Sequence, residues 1–172
     1  MKNFFKLTAL ALILFSAIGL SAQSKSYQIY DQFGHQDGFT SLSFSKAMID
    51  AVNLNIDEEN KKITGDLMEI RILFFNRDKS KSEESLFKII SGKLSKMDYR
   101  KVDLDDAKDA KDNENAEFWI QGDSKRVKEC HVIVMNSEDK QFSCLVSFYG
   151  NFKVEDLKSF EKFSRKQAEK ED

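Results

Sequence analysis

Proline is absent from the 172 residues, and cysteine and histidine occur only twice each. Cys130 and Cys144 form no C-x-x-C motif, which removes the usual dithiol redox chemistry. A zinc site needs three or four ligands. His131 follows Cys130 directly, and consecutive strand residues point to opposite faces, so the two cannot grip one ion. His35 lies in a polar stretch flanked by Gly34 and Gly38 and reads as an exposed loop residue. Glycine is scarce as well: outside the first 22 residues it stands at 34, 38, 65, 92, 122 and 150. No two of these make G-x-G, so neither a P-loop nor a dinucleotide fingerprint is present, and no G-x-S-x-G marks a hydrolase nucleophile. Asp103, Asp105, Asp106, Asp109, Asp112 and Glu114 crowd one segment, but Ala107 and Lys108 stand where a calcium loop needs a ligand and a glycine. No metal, cofactor or catalytic set is expected.

Charge of one sign is lacking too, with 27 basic against 29 acidic residues. That balance disfavours a nucleic-acid binder, which lives on phosphate contacts. The apolar content of 41% is too high for a disordered chain. Long apolar runs are confined to the N-terminus. Lys2 and Lys6 precede an uncharged run from Leu7 to Leu20, and Leu20-Ser21-Ala22 supplies a small residue for cleavage between Ala22 and Gln23. A run of that length is short for a membrane span, so residues 1–22 read as a secretory signal. With no cysteine at the junction for lipid attachment, the expected mature protein is exported, soluble, and free of any stable membrane span.

Beyond a polar lead-in at 23–38, the periodicity predicts one α+β domain over 39–163 and a charged tail at 164–172. Phe39–Phe44 reads as a short strand and Lys46–Val52 as a helix behind Ser45. In Met68–Phe75 the even positions are apolar while Glu69 and Arg71 are charged, the pattern of a half-buried strand with Glu69 on its solvent side. Ser80 and Glu83 have capping-box spacing ahead of Leu86, Phe87, Ile90, Leu94 and Met97. Val102 and Leu104 suggest a weak strand, and residues 116–121, 127–135 and 141–149 three stronger ones. A closing helix carries Val154, Leu157 and Phe160. The expectation is a mainly antiparallel sheet with about three helices packed on one face.

Four features invite a functional reading. Cys130 and Cys144 sit on the two arms of one hairpin with matching parity. They would face each other across a short turn as a disulfide, or remain two reduced, buried hydrophobes. Arg77, Lys79 and Lys81 cluster where the best strand meets the best helix, either a solvated turn or an anionic docking patch. Trp119 opposes Phe118 and Ile120 and is a candidate interaction residue. Val127, Ile133, Met135 and Leu145 place apolar groups on the face otherwise read as wet. Either the lead-in, through Tyr27, Ile29, Tyr30 and Phe33, covers that face, or the face binds something; coverage is the simpler account.

The stretches GFTSLSFSKAMIDAV (38–52), MEIRILFF (68–75) and the segment from Glu117 to Phe160 give the chain a resemblance to domain-of-unknown-function family 4252. That family consists of small exported proteins of Bacteroidota. Many of its members look like lipoproteins; Ala22-Gln23 here offers no such cysteine. The resemblance implies no activity and no site residues. The expectation is therefore a non-enzymatic periplasmic interaction or adaptor module with a protein partner in the cell envelope. A small-ligand binder for lipid or sugar is the alternative, and a hydrolase the third.

Overall fold

A computed structural model describes residues 24–51, 66–76, 86–103, 116–123, 125–135 and 142–168. The described chain runs α1 (Tyr27–Phe33), β1 (Phe39–Ser45), α2 (Lys46–Ala51), β2 (Asp66–Phe75), α3 (Leu86–Lys96), β3 (Arg100–Val102), β4 (Ala116–Gly122), β5 (Arg126–Met135) and β6 (Phe142–Lys153). A single 3₁₀ turn, Val154–Asp156, then leads into α4 (Leu157–Ala168). The six strands form one antiparallel sheet in the order β1-β2-β6-β5-β4-β3. The α+β class and the antiparallel sheet are as expected.

The placement of the helices is not. Alternation along the strands gives the sheet two apolar faces. On the first, Ile70, Ile72, Val132, Val146 and Phe148 meet Leu157, Phe160 and Phe163 of α4, with Ile49 of α2 at the margin. On the second, Leu73, Ile133 and Leu145 meet Ile29, Tyr30 and Phe33 of α1 and Leu86, Ile90 and Leu94 of α3. Helices thus cover both faces rather than one, and the lead-in is itself one of them. The reason is the leftover apolar set on the second face, which only a second helical layer can remove from water.

Local chemistry explains the elements. In α3, Leu86, Ile90 and Leu94 recur at four-residue spacing, and Lys93 and Lys96 sit in the last turn where they complement the helix dipole. Asp98 follows with φ of 67°, the left-handed conformation that turns the chain out of the helix. The helix α4 runs to Ala168, past the point where the charged tail was expected. Ser164 and Ala168 are buried, and Arg165 bonds Glu161 at 2.9 Å one turn earlier. Gly150 pairs with Leu67 beside the irregularity in β2, where a side-chain carbon would lie 1.9 Å from the Asp66 carbonyl oxygen. A second irregularity, between Val127 and Glu129, shifts the parity of β5, so Val127 joins the first face instead of the second.

The cysteines need a correction. Cys130 pairs with Phe148 and Cys144 with Val134, so they lie four residues apart along the hairpin, about 13 Å of strand. Both share the first face as expected, and both are buried thiols outside any disulfide, the second of the two readings offered for them. The register of β5 with β6 is offset from the one a disulfide would need. Burial also pushes the Cys130 thiol well up from its ordinary value, which suits an unreactive core residue.

Candidate functional site

Beneath α1 the second face is not purely apolar. Glu69 and Arg71 of β2, Glu129 and His131 of β5, and Ser147 and Tyr149 of β6 stand side by side across three strands, since Glu69 pairs with Tyr149 and His131 with Ser147. The helix and its leading turn lower Ser24, Ser26, Tyr27 and Tyr30 onto them. The Tyr30 hydroxyl donates to Ser147 Oγ at 2.6 Å, and Ser147 Oγ lies 2.7 Å from His131 Nδ1. If Ser147 in turn donates to Nδ1, the imidazole proton sits on Nε2, which faces Glu129 Oε2 at 3.6 Å. Glu129 Oε2 accepts from Ser24 Oγ and from the Tyr99 hydroxyl, each at 2.6 Å. Ser26 Oγ bonds the Tyr149 hydroxyl at 2.8 Å. At the outer end the Tyr27 hydroxyl donates to Glu69, and the Arg71 guanidinium lies 3.5 Å above the Tyr27 ring centroid while its Nε donates to Glu69 at 2.6 Å. Glu69, expected on a solvent face, is therefore under a helical lid.

Burial and pairing shift these groups in definite directions. Burial holds His131 below its ordinary value, with the Glu129 carboxylate opposing. Burial pulls Glu129 upward but is outweighed by the facing His131 ring and by hydrogen bonds from Ser24 and Tyr99, so its carboxyl ends low. Glu69 ends low for the same reason, with Tyr27, Arg71 and Ser43 as its donors. Burial first, then Glu69 or Glu129, pushes Tyr27 and Tyr99 each up to about 12. Ser147, His131 and Glu129 have the order of a nucleophile, base and acid. Ser147 and His131, however, expose no surface with α1 in place, so no substrate reaches the hydroxyl.

The acid response follows. A histidine depressed in the folded state binds its proton more readily once released. Its stabilising contribution is complete above pH 6.5 and is lost as the pH falls from there toward the folded value. The lowered carboxylates act in the same direction below pH 4.5. The urea midpoint should therefore fall between pH 7 and pH 5, before ordinary carboxylates titrate, and His131→Gln should flatten that interval. A midpoint that is constant from pH 7 to pH 5 would contradict this account.

The second candidate is an edge. β1 is the outermost strand at one side of the sheet, paired with β2 from Phe39↔Phe75 to Ser45↔Glu69, and among the described residues no strand lies on its other side. Its seven residues, FTSLSFS, carry no charge. Leu42 and, in α2, Met48 are exposed. The opposite edge, β3, is three residues long and presents Arg100 and Lys101, with Lys101 bonded to Glu117 at 2.5 Å. Short length and basic side chains are ordinary guards against unwanted strand pairing; β1 has neither.

Of the sequence-based candidates, Trp119 is buried against α3 on the second face, and its Nε1 donates to Glu117 at 3.2 Å. Its ring packs in the core. Arg77, Lys79, Lys81, Ala22 and Gln23 lie outside the described residues, as does most of the acidic insert. Among the described residues, no cluster of three or more metal-ligating side chains occurs, and no helix is long and apolar enough to cross a membrane. The polar network escaped sequence reasoning, although Glu129 and His131 share parity on β5 and Ser147 and Tyr149 on β6.

Comparison with known families gives a match over most of the chain. The family model described as Domain of unknown function (DUF4252) covers residues 30–160, well over half of the chain. The chain belongs to that family. The DUF4252 match begins inside α1 at Tyr30 and ends inside α4 at Phe160, so it takes in all six strands, the free β1 edge and most of the buried network. No curated protein and no solved structure matches the chain.

Proposed function

We propose that this DUF4252 protein is an exported, non-enzymatic interaction module of the cell envelope that docks a partner protein by strand addition along β1. The observation that carries the reading is the contrast between the two sheet edges: β3 is short and basic, while β1 is seven residues long and uncharged, with Leu42 exposed at its centre and Met48 exposed in the helix that follows. An added strand would take its affinity from the main-chain ladder and its selectivity from alternate side chains, here Thr40, Leu42 and Phe44. The N-terminal signal pattern supports export.

The test is crosslinking of tagged, exported protein in cells, followed by identification of what is held. Thr40→Lys/Leu42→Lys places two charges on the edge without touching the core, and should cut recovery of the partner roughly tenfold while leaving the melting temperature within about 2 °C. Equal recovery with the variant would remove β1 as the docking strip.

A further inference from the structure

We infer that β1 also pairs with β1 of a second copy, antiparallel about a two-fold axis through Leu42, joining two six-stranded sheets edge to edge. The inference rests on the reading of β1 as the docking strip and names one occupant for it. Its ground is the self-complementarity of the strand. With Leu42 at the axis, Leu42 faces Leu42, Thr40 faces Phe44, Ser41 faces Ser43 and Phe39 faces Ser45. Leu42–Leu42 and the two Thr40–Phe44 pairs therefore fall on one side of the joined ladder, and the Ser41–Ser43 and Phe39–Ser45 pairs on the other, cross-strand matches that can stabilise a sheet. No charge within β1 opposes itself.

Charge complementarity at the strand ends selects the same arrangement. Asp37 is exposed just before β1, and Lys46 is exposed just after it, where it also pairs with Asp50 at 3.2 Å within α2. The two-fold puts the exposed Asp37 of one copy at the same end of the joint as Lys46 of the other, where α2 begins and the ladder stops. A parallel pairing would instead set Asp37 near Asp37 and Lys46 near Lys46. An isologous contact of this kind closes on itself, so it yields dimers and not fibres, and it covers the unguarded edge.

The full exported protein should double in mass with rising concentration in sedimentation equilibrium. Leu42→Lys and Leu42→Glu each put like charges against each other at the axis, and each alone should weaken self-association roughly tenfold or more. Mixed in equal amounts, the two variants should regain it, because an introduced ammonium on one copy then faces an introduced carboxylate on the other. Circular dichroism checks that both variants fold, which the exposed position of Leu42 favours. A wild type that is monomeric at every concentration overturns the pairing. So does a variant that dimerises like wild type, or a mixture no tighter than its parts. If the wild type is monomeric yet Thr40→Lys/Leu42→Lys loses its crosslinked envelope partner, self-pairing alone falls and the edge belongs to another chain. If partner recovery is also unchanged, both readings fall.

Discussion

Phe160→Ala should lower the free energy of unfolding by about 4 kcal/mol. Phe160 is fully buried at the centre of the first face, where α4 crosses β6. Its ring stacks on Phe148 with centroids 4.1 Å apart and planes 10° from parallel, and it meets Phe152 edge-on at 4.9 Å. Truncation removes the transfer energy of the ring and leaves a cavity that neither neighbour can fill, because both are held in strand β6. α4 would then keep Leu157 and Phe163 as its main anchors. Urea titration at pH 7 measures the effect, and a loss below about 1 kcal/mol would mean that α4 does not close the first face. The same substitution should leave the network beneath α1 intact, since it lies on the opposite side of the sheet.

Glu129→Ala should cost about 3 kcal/mol and should loosen α1 before the rest of the fold. One carboxylate oxygen accepts from both Ser24 and Tyr99 and lies 3.6 Å from His131 Nε2. Removing it takes the shared acceptor from two hydroxyl donors and the facing carboxylate from His131 in a site with little access to water, which is costlier than never having formed the bonds. Glu129→Gln keeps an acceptor of the same shape and should cost roughly half as much. Limited proteolysis separates local from global loss. Cleavage within residues 24–37 should appear in Glu129→Ala at urea concentrations where the sheet is still folded. Cleavage no faster than in wild type would show that the apolar contacts of Ile29 and Phe33 hold α1 by themselves.

These two sites differ in how far they can be read from sequence. The strand at 68–75 and the stripe at Leu86, Ile90 and Leu94 are legible because burial of one side imposes period two or near four on the residues themselves. Phe160 is legible for the same reason. α1 is hard to read because it is only seven residues long and Gln28, Asp31 and Gln32 interrupt it, although Ile29, Tyr30 and Phe33 already form a short stripe. Glu129, His131 and Ser147 are visible only as polar residues at matching parity. Bringing them together requires the pairing of His131 with Ser147, and register depends on turn length and on the irregularities flanking it. The cysteines show the same dependence in reverse, since a small difference in register separates two thiols that parity alone would bring face to face.

The sequence by itself determined the class of the fold, the strands and most helices, the lack of nucleotide and redox motifs, and membership of the family, because each is written in local spacing or residue type. Tertiary structure alone decided that both faces of the sheet are covered, that Trp119 packs inside, that the cysteines stay apart, and that among the described residues β1 is a bare edge while β3 is a guarded one. Those outcomes depend on which strands become neighbours and in what register, and that is settled by the joint burial of residues far apart in the chain.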